Sequence, residues 1–473
     1  MSKIIHFETL GCKLNQVESE GSASLFFKAG FEISMSPYSA KTAENQNVIL
    51  CVVNTCTVTA KAEQKARRII RLLLSKCPQC AVLVTGCYAQ NSKDEILAID
   101  KRVCVLGGQY KGHLSEIPEL LLKNDSLKGE ELSAFIQKSF APVYSSARPG
   151  EIQLPFKLVP DNFLHHSRSS LKIQDGCNCV CTYCAIRLAR GKSVSIDAQE
   201  AIDRVKALEQ AGQKEVVITT VNISQYRGKW KEGTVNFAGL LKLMLENTST
   251  IRFRISSLYP EIVNEELASI VADPRVCPHF HISVQSGSDS VLARMKRPYK
   301  IEAVYRACTL LKKAKKNPFL ACDIIAGFPG ETDEDFDLTM KMLKECGFTF
   351  VHAFPFSARP GTEAYKMRPM VPNSVAGQRV EKLEEYNSHS KSEYIKSFEG
   401  QVLSAVCETV HRPRLFANRV VLHAVTENFL HCQLVFSKKD VLPQPGTLVQ
   451  VKIRRPLNTS EVTGESDTLA ELV

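Results

Sequence analysis

Short apolar runs alternate with amphipathic stretches twice along this 473-residue chain, and that alternation constrains the fold more than any other feature. In the first series the runs are Ile4 to Phe7, Val48 to Val53 and Ala81 to Val84. They are short, continuous and rich in Val and Ile, as parallel strands buried on both faces are. Val17–Lys28 and Ala60–Lys76 lie between them as amphipathic helices. Residues 1–145 are therefore expected to form an N-terminal open parallel α/β sheet domain. Periodicity weakens from about Asp125 to Arg168 and Ser, Pro and Gly accumulate, which places a linker at 146–168. The second series has strands at Leu171–Gln174, Glu215–Thr219, Arg252–Ser256, His279–Gln285, Ala321–Gly327 and Phe350–Phe356. Helical patterns at Ala198–Ala211, Phe237–Glu246, Asn264–Val271, Ile301–Lys316 and Asp333–Glu345 separate them, and a charged helix runs from Val380 to Ser397. Six such units over 169–398 predict an incomplete (β/α)6 barrel with its chemistry at the C-terminal strand ends. From Gly400 the runs are short and alternating, so 399–456 is expected to be a small β-barrel. Residues 457–473 carry four acids and no Lys or Arg and read as a frayed acidic tail.

Composition narrows the class. A chain that is 44% hydrophobic and 23% charged folds, and is neither disordered nor fibrous. No apolar run approaches the ~18 residues of a membrane span. The N-terminus has no signal-peptide core, so a cytoplasmic protein with no membrane partner is expected. Sixty Lys and Arg against fifty Asp and Glu permit an RNA partner. Seventeen cysteines without a secretion signal are not a disulfide framework. Cys51, Cys104, Cys308, Cys322, Cys346 and Cys432 are expected to be small buried hydrophobes.

Two sets of cysteines remain. Cys177, Cys181 and Cys184 follow the first strand of the second series at C-x3-C-x2-C spacing, with no companion pair to complete a zinc site. Three such thiolates hold an iron–sulfur cluster and leave one iron open. Cys12, Cys56 and Cys87 each fall one to five residues past the end of a different predicted parallel strand. In an open α/β sheet those ends share one edge, where ligands bind, so the three thiols are expected to converge. Cys77 and Cys80 form a C-x2-C pair, but at a helix end before a strand, on the wrong side of the sheet for that site.

The spacing of Cys177, Cys181 and Cys184 resembles the radical S-adenosylmethionine superfamily. There the open iron chelates S-adenosylmethionine, and one-electron reduction yields a 5′-deoxyadenosyl radical. Cys179 fits no ligand position of that superfamily and is expected to be a bystander. Ordered motifs extend the resemblance along nearly the whole chain: TLGCKLNQ, NTCTVT, TGCYAQ, KIQDGCN, RISSLYPE, QSGSDSVLARMKR, DIIAGFPGETDEDF and HAFPFSARPGTEA. Together they are similar to the methylthiotransferase family. The resemblance implies two [4Fe–4S] clusters, the auxiliary one on Cys12, Cys56 and Cys87, with the catalytic one on Cys177, Cys181 and Cys184. It implies contacts to S-adenosylmethionine at Ile186, Asn222 and Gln285, and a low-potential electron donor such as flavodoxin or ferredoxin. The terminal barrel resembles a TRAM domain, which binds RNA.

Lys13 and Asn15 in TLGCKLNQ bring the chain closest to the branch acting on N6-threonylcarbamoyladenosine at position 37 of tRNA, in the anticodon region. The implied activity is methylthiolation of carbon 2 of that base. The alternatives are isopentenyladenosine at the same position, an aspartate of a ribosomal protein, or a non-catalytic RNA-binding iron–sulfur sensor. Two positions depart from the family pattern: Arg187 replaces a usual proline, and Thr219–Thr220 replaces Thr-Gly.

Further residues carry simpler expectations. His279 and His281 share one face of a strand and read as satisfied polar groups rather than metal ligands. Asp323 is an inward carboxylate. The expected barrel carries Arg412, Arg414, Arg419, Lys438, Lys439, Lys452, Arg454 and Arg455 among Phe416, Phe429 and Phe436. Phosphate attraction combined with stacking is how such barrels bind RNA.

Overall fold

The computed structural model describes residues 3–146, 148–160, 168–411 and 419–473. Arg412, Arg414 and Phe416 of the expected RNA face lie outside the described residues. The chain divides into two compact units. The first comprises Met1–His165, Lys172–Ile196 and Ser357–Tyr365; the second comprises His166–Leu171, Asp197–Phe356 and Lys366–Val473.

The first unit is built on β1 (Ile4–Thr9), α1 (Lys13–Lys28), β2 (Glu32–Ser34), β3 (Val48–Thr55), α2 (Ala60–Lys76), β4 (Ala81–Gly86) and β5 (Val103–Gly107). The strands lie in the order β2-β1-β3-β4-β5, and every pairing is parallel. All eight residues of β3 are buried, so its sequence is a near-continuous apolar run. One sheet face packs Ile5, Phe7, Leu50 and Leu83 with Phe26 of α1; the other packs Val53, Val82 and Val84 with Ile70 and Leu73 of α2. Thr59 caps α2 by accepting a hydrogen bond from the Ala62 amide at 3.2 Å.

Two stretches of this unit differ from the sequence reading. Residues Gly129–Ser139 and Ala141–Ser146 are helices, in a stretch where the sequence showed only weakening periodicity. Leu132 and Ile136 seal the sheet core, but helices this short give too few repeats for periodicity to register. Helix α1 begins at Lys13 rather than Val17, and its buried face is polar: Asn15, Glu18, Ser19, Glu20 and Ser22 all face inward. Of these residues, Asn15 and Glu18 line the site described below.

The second unit opens with Ser169–Lys172, Glu215–Thr219 and Arg252–Ile255 in one sheet. Ser257–Leu258, His279–Gln285, Phe319–Ala326 and Phe350–Pro355 follow in a second, paired in parallel. With Arg252–Ile255 and Ser257–Leu258 together standing for the third expected strand, these seven segments cover the six strands of the expected open barrel, and the fold class is α/β. The last strands close a five-membered β-barrel, ordered Val402–His411, Arg419–Thr426, His431–Ser437, Thr468–Leu472 and Leu448–Pro456. The tail is thus not frayed. Thr468–Leu472 pairs with both neighbours, burying Thr468 and Ala470. Its acids gave no warning of this because they are paired: Glu471 with Arg454, and Glu461 with Arg455 at 2.7 Å.

This barrel caps the N-terminal ends of the parallel strands. Glu215, fully buried, accepts from Arg254 Nε and from Arg252 Nε, both at 2.7 Å. Arg254 also donates to the carbonyls of Thr426 and Glu427 in the barrel, at 3.0 and 3.1 Å. His279 stacks on Phe429 with ring centroids 4.0 Å apart. The C-terminal strand ends, where chemistry belongs on such folds, are left to the opposite side.

Candidate functional site

In the first unit the strand order reverses direction between β1 and β3, which opens a crevice at their C-terminal ends. Cys12 lies three residues past β1, Cys56 directly follows β3, and Cys87 directly follows β4. Glycines let these segments close up. Gly11 has φ +102°, and a Cβ there would lie 2.6 Å from Cys56 Cβ. Gly86 has φ +95°, and a Cβ there would lie 2.3 Å from the Thr55 carbonyl oxygen. Side chains then tie the segments together. Asn15 Nδ2 donates to the carbonyls of Leu10 (2.7 Å) and Thr55 (3.1 Å), and Thr55 Oγ1 donates to the Thr85 carbonyl (2.5 Å). Cys12, Cys56 and Cys87 lie on this one edge, near enough for Cys87 and Cys12 to act electrostatically on Cys56; Cys56 and Cys87 are buried and Cys12 is exposed at the rim. Burial pushes the Cys56 thiol up to about 11, so a thiolate there requires a cationic partner.

That partner environment is a buried charged node. Arg190, 3% exposed, places Nη2 at 4.0 Å from Cys12 Sγ and 2.7 Å from Asn15 Oδ1. Its Nη1 lies 2.9 Å from Asp175 Oδ1 and 3.2 Å from Glu18 Oε1. Lys172 Nζ bridges Glu18 Oε1 at 2.8 Å and also pairs with Asp175, while Lys111 Nζ meets Glu18 Oε2 at 2.5 Å. Burial would raise the Glu18 pKa, but Arg190, Lys111 and Lys172 together hold it well below the carboxylate range. Among the described residues of this node three cations face two carboxylates, so one positive charge is left over beside three thiols. An oxidised four-iron cube held by three thiolates is anionic overall, by roughly one charge, and suits this surplus.

The second cysteine set lies in the same unit, in the loop that begins at Asp175. The Cys177 amide donates to the Gly191 carbonyl at 3.0 Å and the Cys184 amide to the Cys181 carbonyl at 3.2 Å, folding the loop back on itself. The Cys179 amide donates to Cys177 Sγ at 3.4 Å. Its thiol hydrogen-bonds with Cys177 and Cys181, which pushes its pKa far up. Among the described residues no three His, Cys, Asp or Glu side chains are spaced as ligands of a single metal ion. Neither trio is therefore laid out as a mononuclear site.

Comparison with known proteins decides the family. The Radical SAM superfamily model matches residues 171–343, and the model described as Uncharacterized protein family UPF0004 matches residues 4–108. Threonylcarbamoyladenosine tRNA methylthiotransferase MtaB of Treponema pallidum is 42% identical, the alignment covering 95% of this chain and 98% of that protein. The chain belongs to the threonylcarbamoyladenosine tRNA methylthiotransferase family. The tRNA-2-methylthio-N(6)-dimethylallyladenosine synthase of Clostridium novyi is 29% identical over 98% of this chain and 96% of its own length. Among solved structures, the radical S-adenosylmethionine methyltransferase TsrM of Kitasatospora setae, with cobalamin and a [4Fe-4S] cluster bound, shares the fold. It superposes with a TM-score of 0.51 at 15% identity over 77% of each chain. Members of a radical SAM family are enzymes that use S-adenosylmethionine and a [4Fe–4S] cluster.

Within this methylthiotransferase, the residues expected to contact S-adenosylmethionine fall in both units. Ile186 is half-buried and begins the short helix Ile186–Arg190 after Cys184. Asn222 and Gln285 belong to the second unit, past or at the C-terminal ends of Glu215–Thr219 and His279–Gln285. Asn222 Oδ1 accepts from the Ser224 amide at 3.0 Å and its hydroxyl at 2.7 Å. Gln285 is a buried non-glycine residue at φ +74°, a strained backbone of the kind concentrated at ligand sites. Arg187 is exposed in the first turn of its helix, where a proline's missing amide would not be needed, so the exchange loses no hydrogen bond.

His281 Nε2 lies 3.0 Å from Asp323 Oδ2, and burial holds His279 neutral against Phe429. Cys77 caps the C-terminus of α2 and Cys80 precedes β4, at the sheet end opposite the crevice. Cys51 is buried in the hydrophobic core, as expected, and its thiol also meets those of Cys77 and Cys80. Sequence reasoning missed Glu18, Lys111, Lys172, Asp175 and Arg190 as a group. Its one signal was Glu18 and Glu20 on a helix flanked by core strands.

Proposed function

We propose that this enzyme methylthiolates carbon 2 of N6-threonylcarbamoyladenosine at position 37 of tRNA with two [4Fe–4S] clusters. The first is held by Cys177, Cys181 and Cys184, the auxiliary one by Cys12, Cys56 and Cys87. The observation that carries the proposal is the convergence of Cys12, Cys56 and Cys87 on a crevice with one buried cation in excess, in the unit that also holds the C-x3-C-x2-C loop. When bound, such a cofactor supplies the electron for radical cleavage of S-adenosylmethionine, the chemistry an aromatic C–H requires because it offers no acidic or nucleophilic handle.

The chain's own residues do the positioning. Asn15 and Thr55 fix the three cysteine segments relative to one another. Ile186, Asn222 and Gln285 contact S-adenosylmethionine. The terminal barrel takes the anticodon region of tRNA, and flavodoxin or ferredoxin supplies electrons in the cytoplasm. No helix among the described residues is long and apolar enough to cross a membrane. The higher identity to the threonylcarbamoyladenosine relative than to the dimethylallyladenosine one supports the choice of base.

Mass spectrometry of tRNA nucleosides from cells with and without the protein tests this. Loss of the 2-methylthio derivative with accumulation of N6-threonylcarbamoyladenosine is the expected result. Accumulation of isopentenyladenosine instead would refute the substrate. Absence of 5′-deoxyadenosine on anaerobic reduction would leave only the non-catalytic sensor.

A further inference from the structure

Arg190 is the best-connected side chain of the node and belongs to no cysteine motif. It is almost fully buried; both terminal nitrogens reach the Glu18 carboxylate, at 3.2 and 3.3 Å, and each has a further partner. Nη2 meets Cys12 Sγ at 4.0 Å and Asn15 Oδ1 at 2.7 Å, while Nη1 meets Asp175, two residues before Cys177, at 2.9 Å. The fork thus reaches the rim cysteine of one trio and the root of the loop that carries the other. The carboxylates of Glu18 and Asp175 neutralise only two of the three cations Lys111, Lys172 and Arg190. Of these, Arg190 alone approaches a cysteine sulfur within hydrogen-bond reach among the described residues.

We propose that Arg190 is a positioning residue that sets the reduction potential of the cluster on Cys12, Cys56 and Cys87. The proposal rests on the two-cluster reading above. Net charge and hydrogen bonds to the sulfurs tune such potentials. Reduction adds negative charge, so a nearby buried cation stabilises the reduced form more and raises the potential; low local dielectric enlarges the effect. A latch that merely joined the two loops would leave the potential where it is.

Substitution at Arg190 is compatible with folding because Lys111 and Lys172 still balance Glu18 and Asp175. Arg190→Gln removes the surplus charge. Arg190→Lys keeps the charge, but a single ammonium does not span Cys12 and Asp175 as the planar fork does. The test uses the full chain with Cys177→Ala, Cys181→Ala and Cys184→Ala, reconstituted anaerobically so that one cluster remains. Iron content and an EPR-monitored redox titration are read for this parent, for Arg190→Gln and for Arg190→Lys.

About four irons in each protein, with a more negative potential in Arg190→Gln and a smaller negative shift in Arg190→Lys, is the expected result. Equal iron and an unshifted potential in Arg190→Gln would overturn the proposal and leave Arg190 a structural latch. A parent that binds no iron would instead overturn the two-cluster reading, and this proposal with it. Should Arg190→Gln fail to hold iron, Arg190→Met, which also removes the charge at similar side-chain length, decides: a lowered potential supports the proposal and an unchanged one refutes it.

Discussion

Cys179 sits two residues beyond Cys177, with its amide on Cys177 Sγ at 3.4 Å and its thiol between Cys177 and Cys181. Proximity alone would admit it as a fourth ligand, but a fourth thiolate would close the iron that S-adenosylmethionine needs. Cys179→Ala is therefore expected to keep the parent's iron content and its rate of S-adenosylmethionine cleavage. Loss of the cluster in that variant alone, by iron assay, would mean that the trio is misassigned. The proposed ligand cysteines are each marked locally in the sequence, by spacing or by place after a strand. Arg190 is not, because its partners Asn15 and Glu18 lie more than 170 residues away in the chain, and a single sequence carries no sign of such a pairing. The polar buried face of α1 misled for a related reason. Periodicity assumes that what is buried is apolar, and here the buried face serves a charged site.

Elements with strong local signals fell where expected: Ala60–Lys76, Glu215–Thr219, Phe237–Glu246 and His279–Gln285 match residue for residue. Strands β2 and β5, the helix Gly129–Ser139 and the closing strand Thr468–Leu472 did not register, being short or masked by charge. The cysteine-bearing turns should behave as independent elements. The parent is expected to bind about eight irons, as two cubes of four. Replacing Cys177, Cys181 and Cys184 with Ala should leave about half and abolish S-adenosylmethionine cleavage. Replacing Cys12, Cys56 and Cys87 should also leave about half, with cleavage kept and methylthiolation lost. A Cys12/Cys56/Cys87 variant that still held both clusters would break the convergence argument.

The contact between the parallel strands and the terminal barrel gives a second prediction at this scale. Burial would raise the pKa of Glu215, yet Arg254 first and then Arg252 hold it well below the carboxylate range. A carboxylate depressed in the folded state stabilises the protein above its unfolded pKa of about 4.3, and that stabilisation is lost as pH falls below it. Glu215→Gln leaves two buried guanidiniums without their anion, which should cost about 3–5 kcal/mol at pH 7. Urea unfolding of parent and variant should show that gap narrowing at pH 3; a gap independent of pH would remove Glu215 as its cause.

For the whole molecule, the question is how a chain with a modest basic excess holds tRNA. Closure by Thr468–Leu472 changes the charge of the terminal barrel. Over 401–473 there are eight Lys and Arg against seven Asp and Glu, so the domain is nearly neutral rather than strongly basic. Arg454 and Arg455 are committed to Glu471 and Glu461. Among the described residues Arg419, Lys438 and Lys439 remain exposed, the two lysines side by side past the end of His431–Ser437. Removing the barrel would not isolate its role, because Phe319 and Tyr394 share one core with Leu403, Leu422 and Leu434 and would be laid bare. Point substitutions are the clean test. Each phosphate neutralised contributes roughly −0.7 to −0.9 to the slope of log affinity against log salt. Lys438→Ala with Lys439→Ala should flatten that slope by about 1.4–1.8, while Arg454→Ala with Arg455→Ala should change it less. Cleavage of S-adenosylmethionine should persist in both, since neither pair touches a cysteine segment. An unaltered slope in the Lys438/Lys439 variant, measured with the same tRNA over the same salt range, would make the barrel a structural cap on the parallel strands and return tRNA binding to the rest of the chain.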